Sequence, residues 1–296
     1  MTPVSEAFDM VFPLPDKYID LLTDFGFKRV FGTEPNKALL IDFLNTLLPP
    51  HHQIQDVTFK NPEFLGNTLV DRRAIFDIYC QSETGERFIV EMQKAKQNFF
   101  KDGRSPAFSD RSVYYSTFPI QEQAQQGYWN YELTAVYTVG ILDFLFDDHK
   151  HESELLHVVE LKNQRCEVFY DKLKFIYVEL PKFTKSVDQL ETHFDKWLFL
   201  LKHLAQLNEP PEPLQEDVFA QLFEVAEIAN FSSAEQFRYQ DSLKVYRDMN
   251  SIAETLIQEG RQQEKQQIAK QMKAAGLPLK DIAQYTGLSV DEIDRL

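Results

Sequence analysis

The chain has 296 residues, 43% of them hydrophobic, which is enough to bury a sizeable core in one large or two medium domains. It contains no apolar run near the roughly 18 residues that a membrane span needs, no N-terminal order typical of a signal peptide, and only two cysteines. We therefore expect a cytoplasmic protein without a membrane segment or a disulfide framework, and the net charge of −15 argues against nucleic-acid binding driven by overall charge alone.

The charge is unevenly distributed along the chain. Residues 141–259 contain 23 acidic and 12 basic side chains, whereas residues 87–115 contain six basic and three acidic ones. The acidity therefore lies away from the second segment, whose own balance is positive. This distribution weakens the objection that the overall charge raises against a nucleic-acid site in that segment, without removing it.

The N-terminal part of the chain is predicted to form an arm, a helix and an edge strand. Residues 1–17 are punctuated by prolines and show no clear period, which indicates a loosely ordered arm. Apolar side chains recur at helical spacing in residues 35–48 and stop at a proline pair, which predicts an amphipathic helix. Residues 54–59 are predicted to form an exposed or edge strand, and residues 61–70 an irregular loop.

Two strand-like runs separated by turn chemistry predict a β-hairpin. Residues 74–80 and 87–93 are rich in β-branched and aromatic side chains. Asp77 and Glu91 are unexpected within them, because a buried carboxylate without a partner is costly. Pairing places the two acids on adjacent strands, and alternation puts Gln93 on the same face as Glu91. Two carboxylates and an amide that converge on one point suit a hard divalent cation such as Mg²⁺.

A helix and three strands are predicted after the hairpin. Beyond a polar loop, residues 109–126 are predicted to be helical, with Ser109 or Asp110 as a candidate N-cap. Strands are predicted at residues 133–144, 155–160 and 173–179. Cys80 and Cys166 both lie in apolar strand-like runs, and we expect them to be reduced thiols in the core.

The rest of the chain is predicted to be helical, with helices at residues 188–207, 214–230 and 234–275. The last of these is polar towards its end and lacks sustained heptads, which favours a solvated spacer over half of a coiled pair. Residues 279–285 and 290–296, with Gly287 between them, predict a helix–turn–helix-like tail. Its second helix carries acidic side chains rather than the basic or amide side chains that read DNA, which favours packing or oligomerisation.

The order Asp77, then Glu91-x-Gln93, resembles the catalytic core of PD-(D/E)XK nucleases. It is most similar to the recombination-promoting nuclease (Rpn) family and the PD-(D/E)XK nuclease-family transposases, in which glutamine replaces the usual lysine. This spacing alone is a weak signal, but an ordered set of further segments also resembles the family. These segments are residues 22–32, 111–115, 127–128, 136–144, 268–272 and 282–289.

The resemblance implies a fold and a division of the chain. The fold class is α/β (α+β), with a PD-(D/E)XK restriction-endonuclease-like core in which helices flank a mixed central sheet, followed by an all-helical C-terminal region. The expected segments are an N-terminal arm (1–17), the nuclease-like core (18–182), a helical region (183–275) and the helix–turn–helix-like tail (276–296).

The resemblance also implies roles for the residues of the hairpin. Asp77 and Glu91 would be catalytic and bind Mg²⁺, with Mn²⁺ as an alternative, and the backbone oxygen of Met92 would be a third ligand. Gln93 would be catalytic by orienting the attacking water. Because glutamine cannot add positive charge to the transition state as lysine does, either the rate is lower or another cation helps. The competing interpretation is two ordinary polar positions on a half-exposed hairpin.

Further site residues come from two other segments. Asp24 is implied as an outer acidic group of the catalytic set, with a helix N-cap as the equally weighted alternative. Lys28 would contact a substrate phosphate or simply be solvated. Arg111 and Tyr115 are four residues apart on one helix face, which suits phosphate and base contact, although packing with arginine at the rim is the alternative.

The function implied by the resemblance is a metal-dependent DNA endonuclease associated with DNA recombination or mobile elements. DNA is the expected partner, no membrane is involved, and a homo-oligomer is left open. A second hypothesis is a catalytically weak or inactive nuclease fold that binds DNA or protein. A third is a homo-oligomeric defence or toxin-like effector held inactive by its acidic helical region.

Overall fold

The computed structural model describes residues 16–50, 52–64, 74–93, 108–124, 130–146 and 150–296. Several predictions concern parts of the chain that lie largely or wholly outside these ranges. These parts are the N-terminal arm, the polar loop after the hairpin, residues 127–128, and the basic residues Lys94, Lys96, Lys101 and Arg104. Contacts between Cα atoms divide the chain into two units, with the boundary between Leu243 and Lys244. The four-segment division stays a prediction.

A mixed sheet of six strands organises the first unit. Its strands are β1 (Val57–Phe59), β4 (Ile78–Ser82), β5 (Arg87–Gln93), β6 (Val136–Leu142), β7 (Leu156–Lys162) and β8 (Val168–Glu179). Their order is β1-β4-β5-β6-β8-β7, so the predicted edge position of β1 is confirmed. β6 pairs in parallel with β5 and with β8, and the other neighbours are antiparallel. A separate antiparallel pair is formed by β2 (Glu63–Phe64) and β3 (Ala74–Ile75).

Helices flank this sheet in the first unit and make up the C-terminal part of the chain. In the described ranges they are α1 (Asp24–Phe31), α2 (Lys37–Leu47), α3 (Phe108–Gln121), α4 (His193–His203), α5 (Asp217–Ala226), α6 (Ser233–Ala274), α7 (Leu279–Thr286) and α8 (Val290–Asp294). Short 3-10 helices lie at Glu34–Asn36, Leu180–Lys182, Val187–Gln189, Leu204–Gln206, Glu212–Leu214 and Ile228–Asn230. No helix within the described ranges has the length and apolar character needed to span a membrane. The predicted α/β class with a mixed sheet and C-terminal helices is confirmed.

An aromatic cluster joins four helices of the first unit. Trp197 of α4 is fully buried, and its ring centroid lies 5.6 Å from that of Phe31 on α1 and 5.7 Å from that of Phe43 on α2. Phe219 of α5 approaches the same ring to 5.2 Å. Rings at these separations gain from the removal of apolar area from water and from their tilted geometry. Helices α4 and α5 therefore share one core with α1 and α2.

Helix α3 packs on the hairpin formed by β4 and β5. Tyr115 and Phe118 of α3 contact a cluster of buried side chains that comprises Phe76, Tyr79 and Ile89. The Tyr79 hydroxyl also donates a hydrogen bond to the carboxylate of Glu122, just beyond the end of α3. These contacts fix the helix beside the strands that carry the candidate site.

The second unit ends in two short helices that pack against the last part of α6. Its buried core comprises Ala269, Ile282, Leu288 and Ile293. Gly287 adopts a left-handed φ of 68° between α7 and α8, which glycine tolerates without strain, and Ser289 caps α8. The predicted helix, turn and helix are present, while the role of this tail stays a prediction.

Two predictions about the strands are corrected by the structure. The strand predicted over residues 74–80 is interrupted at Phe76 and Asp77, because the chain pairs with β2 before the interruption and with β1 and β5 after it. The prediction of two core thiols holds only for Cys80, which is buried. Cys166 is exposed in the turn between β7 and β8, where its φ is 62°.

The predicted helix boundaries also shift. The helix expected over residues 109–126 begins at Phe108 and ends at Gln121, so Ser109 and Asp110 lie in its first turn and neither is the N-cap. The helix expected over residues 188–207 is shorter, because Thr192 caps α4 through a reciprocal pair of hydrogen bonds with Asp195.

Candidate active site

Asp77 and Glu91 lie side by side because of the register between β4 and β5. Ile78, the first residue of β4, is paired with Val90, so Asp77 precedes it next to Glu91. The backbone N–H of Asp77 donates a hydrogen bond to Glu91 Oε1 at 3.2 Å. The backbone N–H of Met92 donates one to Asp77 Oδ2 at 2.8 Å. Each carboxylate thus accepts a hydrogen bond from a backbone N–H on the opposite arm of the hairpin.

Glu91 is buried and Asp77 is half-buried, which changes the acidity of both carboxylates. Glu91 is only 7% exposed, and burial, followed by the neighbouring charge of Asp77, raises its pKa to about 8. Burial also raises the pKa of Asp77, although the Met92 N–H and the Lys28 ammonium act in the opposite direction. A cation bound to both groups would relieve this cost, because an opposite charge favours the ionised form.

Arg111 brings positive charge to the end of β5. Its guanidinium Nη2 donates a hydrogen bond to the side-chain oxygen of Gln93 and lies 3.9 Å from Glu91 Oε2. The guanidinium carbon lies 5.7 Å from the centroid of the Tyr115 ring, and that ring packs on Phe76 at 5.1 Å. The hydrophobic contact of α3 with the hairpin therefore places Arg111 at the carboxylates.

Helix α1 contributes an acid and a second cation. Thr23 is its N-cap and accepts a hydrogen bond from the Gly26 N–H, so the interpretation of Asp24 as the cap is wrong. Asp24 instead begins the helix, and its Oδ1 lies 2.7 Å from Lys28 Nζ. The same Nζ lies 3.7 Å from Asp77 Oδ1. Burial lowers the pKa of Lys28, but the two carboxylates outweigh it and leave this pKa above its ordinary value.

The structure thus brings together all the residues that the sequence singled out for the site. Asp77, Glu91, Met92 and Gln93 come from the hairpin, Asp24 and Lys28 from α1, and Arg111 and Tyr115 from α3. The roles of these residues remain proposals.

Contacts that hold α1 in place were missed by sequence reasoning. The backbone N–H of Asp20 donates a hydrogen bond to the Tyr239 hydroxyl at 2.8 Å, and that of Phe25 donates one to Ser242 Oγ at 3.1 Å. Both acceptors lie on α6. The Thr23 cap could have been found, since threonine before a helix is a known signal, but no local pattern links α1 to residues more than 200 positions away.

The donor chemistry at the carboxylate pair fits a hard divalent cation. Asp77 and Glu91 offer carboxylate oxygens and Met92 a backbone oxygen, the ligands that Mg²⁺ and Mn²⁺ prefer. Across the part of the chain that the structure describes, no group of three or more His, Cys, Asp or Glu side chains is arranged to bind a metal ion. An ion at this site would therefore need main-chain and water ligands besides the two carboxylates.

Comparison with protein families supports the sequence resemblance. A model of the PD-(D/E)XK nuclease family transposases matches residues 21–255, a range that contains α1, the hairpin, α3 and the central sheet. The chain belongs to this family. The predicted family and its PD-(D/E)XK fold are thereby confirmed. Searches among curated proteins and solved structures found no match.

Proposed function

We propose that the protein is a metal-dependent DNA endonuclease that hydrolyses phosphodiester bonds. The observation that carries the proposal is the pair of carboxylates, half-buried Asp77 and buried Glu91, held side by side next to Gln93 and Arg111. Membership of a nuclease family supports the reaction class. DNA as the substrate, and a role in recombination or mobile elements, rest on the family likeness.

Asp77, Glu91 and the backbone oxygen of Met92 would hold Mg²⁺ or Mn²⁺. Such an ion lowers the pKa of a bound water and stabilises negative charge on the phosphate. Gln93 would orient the water by a hydrogen bond. Attack by the water would form a bond from its oxygen to phosphorus and break the bond from phosphorus to the leaving sugar oxygen. The water would give up a proton to solvent, and the leaving oxygen would take one from solvent.

Arg111 is the group best placed to supply the charge that glutamine lacks. Its guanidinium already contacts the Gln93 amide, so it can stabilise a phosphate in the transition state. Tyr115 would contact the sugar or base beside that phosphate. Lys28 would be a second phosphate contact.

Cleavage of supercoiled plasmid by the wild type and by Asp77→Ala tests the proposal, with Mg²⁺, Mn²⁺ or EDTA present. We expect metal-dependent nicking that the variant loses by at least about a hundredfold, as for removal of a group that is central to charge stabilisation. Asp241→Ala, which removes an exposed acid of α6, is the matched control and should cut like the wild type. Intact plasmid in every reaction, without metal binding at Asp77, would reject the nuclease.

A nuclease fold that binds DNA or protein without cutting is the second candidate. Gln93 in place of lysine and the net charge of −15 favour it. In that case DNA binding would be observed without cleavage and would be unchanged in Asp77→Ala. A cytoplasmic location and association of chains into a homo-oligomer are kept as proposals, and light scattering of the purified protein would measure the latter.

A further inference from the structure

Lys28 lies between two carboxylates, Asp77, which is a proposed metal ligand, and Asp24, which is not. Its Nζ is 2.7 Å from Asp24 Oδ1 and 3.7 Å from Asp77 Oδ1. Asp24 and Lys28 are four residues apart, so the helix itself keeps them within reach of each other. Asp77 belongs to the hairpin and is a proposed metal ligand. The ammonium group is therefore shared between a proposed ligand carboxylate on the hairpin and a carboxylate on its own helix.

Arg111 stands in a comparable position at the other carboxylate. It lies 3.9 Å from Glu91 Oε2 and donates a hydrogen bond to the Gln93 oxygen. Each proposed ligand carboxylate thus has a cation beside it, and each of these cations has a second acceptor nearby. For Lys28 that second acceptor, Asp24, is the more exposed carboxylate, with 60% of its side chain accessible against 22% for Asp77.

We propose that Lys28 competes with the divalent ion for Asp77, and that Asp24 is a positioning residue that draws Lys28 away when the ion binds. The inference rests on the proposed function, because it takes Asp77 as a metal ligand. An ammonium group beside a ligand oxygen repels a divalent cation at short range. Asp24 instead holds the ammonium group beside its own, more exposed carboxylate, where a substrate phosphate can reach it.

This arrangement couples the ion to the substrate. Both a metal ion at Asp77 and a phosphate at Lys28 favour the state in which the two residues are apart. By linkage, each ligand then strengthens the binding of the other. Asp24 would act on the reaction through Lys28 and would not touch the ion itself.

Two single variants and their combination have distinct expected results. In the Asp24→Asn variant, Lys28 stays beside Asp77. The affinity of this variant for Mn²⁺ should therefore be roughly threefold weaker than that of the wild type, a change typical of partly exposed ion pairs. Lys28→Met removes the competitor and should bind Mn²⁺ more tightly by a similar factor. In the Lys28→Met background, Asp24→Asn should have no effect, because its partner is gone.

Calorimetric titration of the full-length chain with Mn²⁺ in the absence of DNA measures these affinities independently of cleavage. Lys37→Met and Asp56→Asn are matched controls, since Lys37 Nζ lies 2.7 Å from Asp56 Oδ1 in an ion pair that is not part of the candidate site. Both controls should bind Mn²⁺ like the wild type. Thermal unfolding of each variant verifies that the fold is retained.

The alternatives give different patterns. If Asp24 were a metal ligand, Asp24→Asn would weaken Mn²⁺ binding equally with Lys28 or Met at position 28, and the inference would be wrong. It would also be wrong if the wild type binds Mn²⁺ through Asp77 and neither single variant changes the affinity. A wild type with no Mn²⁺ binding that depends on Asp77 would overturn the proposed function itself.

Discussion

Burial of the Glu91 carboxylate beside Asp77 destabilises the metal-free fold near neutral pH. The pKa of Glu91 is raised from 4.5 to about 8 by burial and by the charge of Asp77. Between these two pH values the folded chain keeps a proton that the unfolded chain has released. The free energy of unfolding therefore falls as the pH rises through this window.

We expect Glu91→Gln to remove this penalty, because glutamine has a similar shape and no charge to bury. In EDTA at pH 8 the variant should be more stable than the wild type by on the order of 2 kcal/mol, and the difference should shrink towards the pH at which an unfolded glutamate titrates. Urea unfolding at several pH values measures it. Glu224→Gln, at an exposed position of α5, should show no such trend. A variant less stable at every pH would contradict the prediction.

The residue types of the site could be predicted, but their contacts could not. Pairing within the predicted hairpin brings Asp77 next to Glu91, and strand alternation puts Gln93 on the face of Glu91, because both depend on short-range geometry. The family resemblance named Lys28 and Arg111. Which carboxylate each cation meets depends on how α1 and α3 pack against the hairpin, and no spacing in the sequence records that packing.

In the first turn of α1, the surrounding backbone leaves no room for a side chain at Gly26. A Cβ at Gly26 would lie 2.2 Å from the Asp20 backbone oxygen and 2.8 Å from Thr23 Oγ1. Gly26→Ala should therefore destabilise the protein by on the order of 2 kcal/mol or more, because the backbone must move. The movement would displace Asp24 and Lys28, so the proposed cleavage should also decline.

Gly260→Ala in α6 is the matched control for this substitution. A Cβ there would meet nothing within 4 Å, and alanine is favoured over glycine inside a helix by about 1 kcal/mol. This variant should be at least as stable as the wild type and should cut DNA equally well. Thermal unfolding and plasmid cleavage compare the two. Equal behaviour of both variants would contradict the close approach at Gly26.

Elements with a strong local signal were predicted well. Helix α6 was expected over residues 234–275 and is found at Ser233–Ala274. The interruption at Asp77 was not foreseen, because it arises where the chain changes strand partners. Cys166 was misplaced because an apolar run predicts burial, whereas the turn between β7 and β8 leaves this residue exposed.

The core of the first unit depends on residues far beyond the hairpin. Trp197 completes the packing of α1 and α2, so a chain ending at Pro181 should be unfolded by circular dichroism. A chain ending at Leu243 retains this core and should keep both the fold and the proposed cleavage. A folded, active chain of 181 residues would contradict this and would favour the hypothesis that the acidic helical region holds the protein inactive.

The hydrogen bonds that link Asp20, just before α1, and Phe25 of α1 to α6 have a consequence for the timing of synthesis. Asp20 and its partner Tyr239 are 219 positions apart, and Phe25 and Ser242 are 217 apart. At about 5–20 residues per second, roughly 10–45 s pass between the translation of these partners. The helix that carries Asp24 and Lys28 thus gains these contacts only after most of the chain has been translated, so an incomplete nascent chain lacks the finished site.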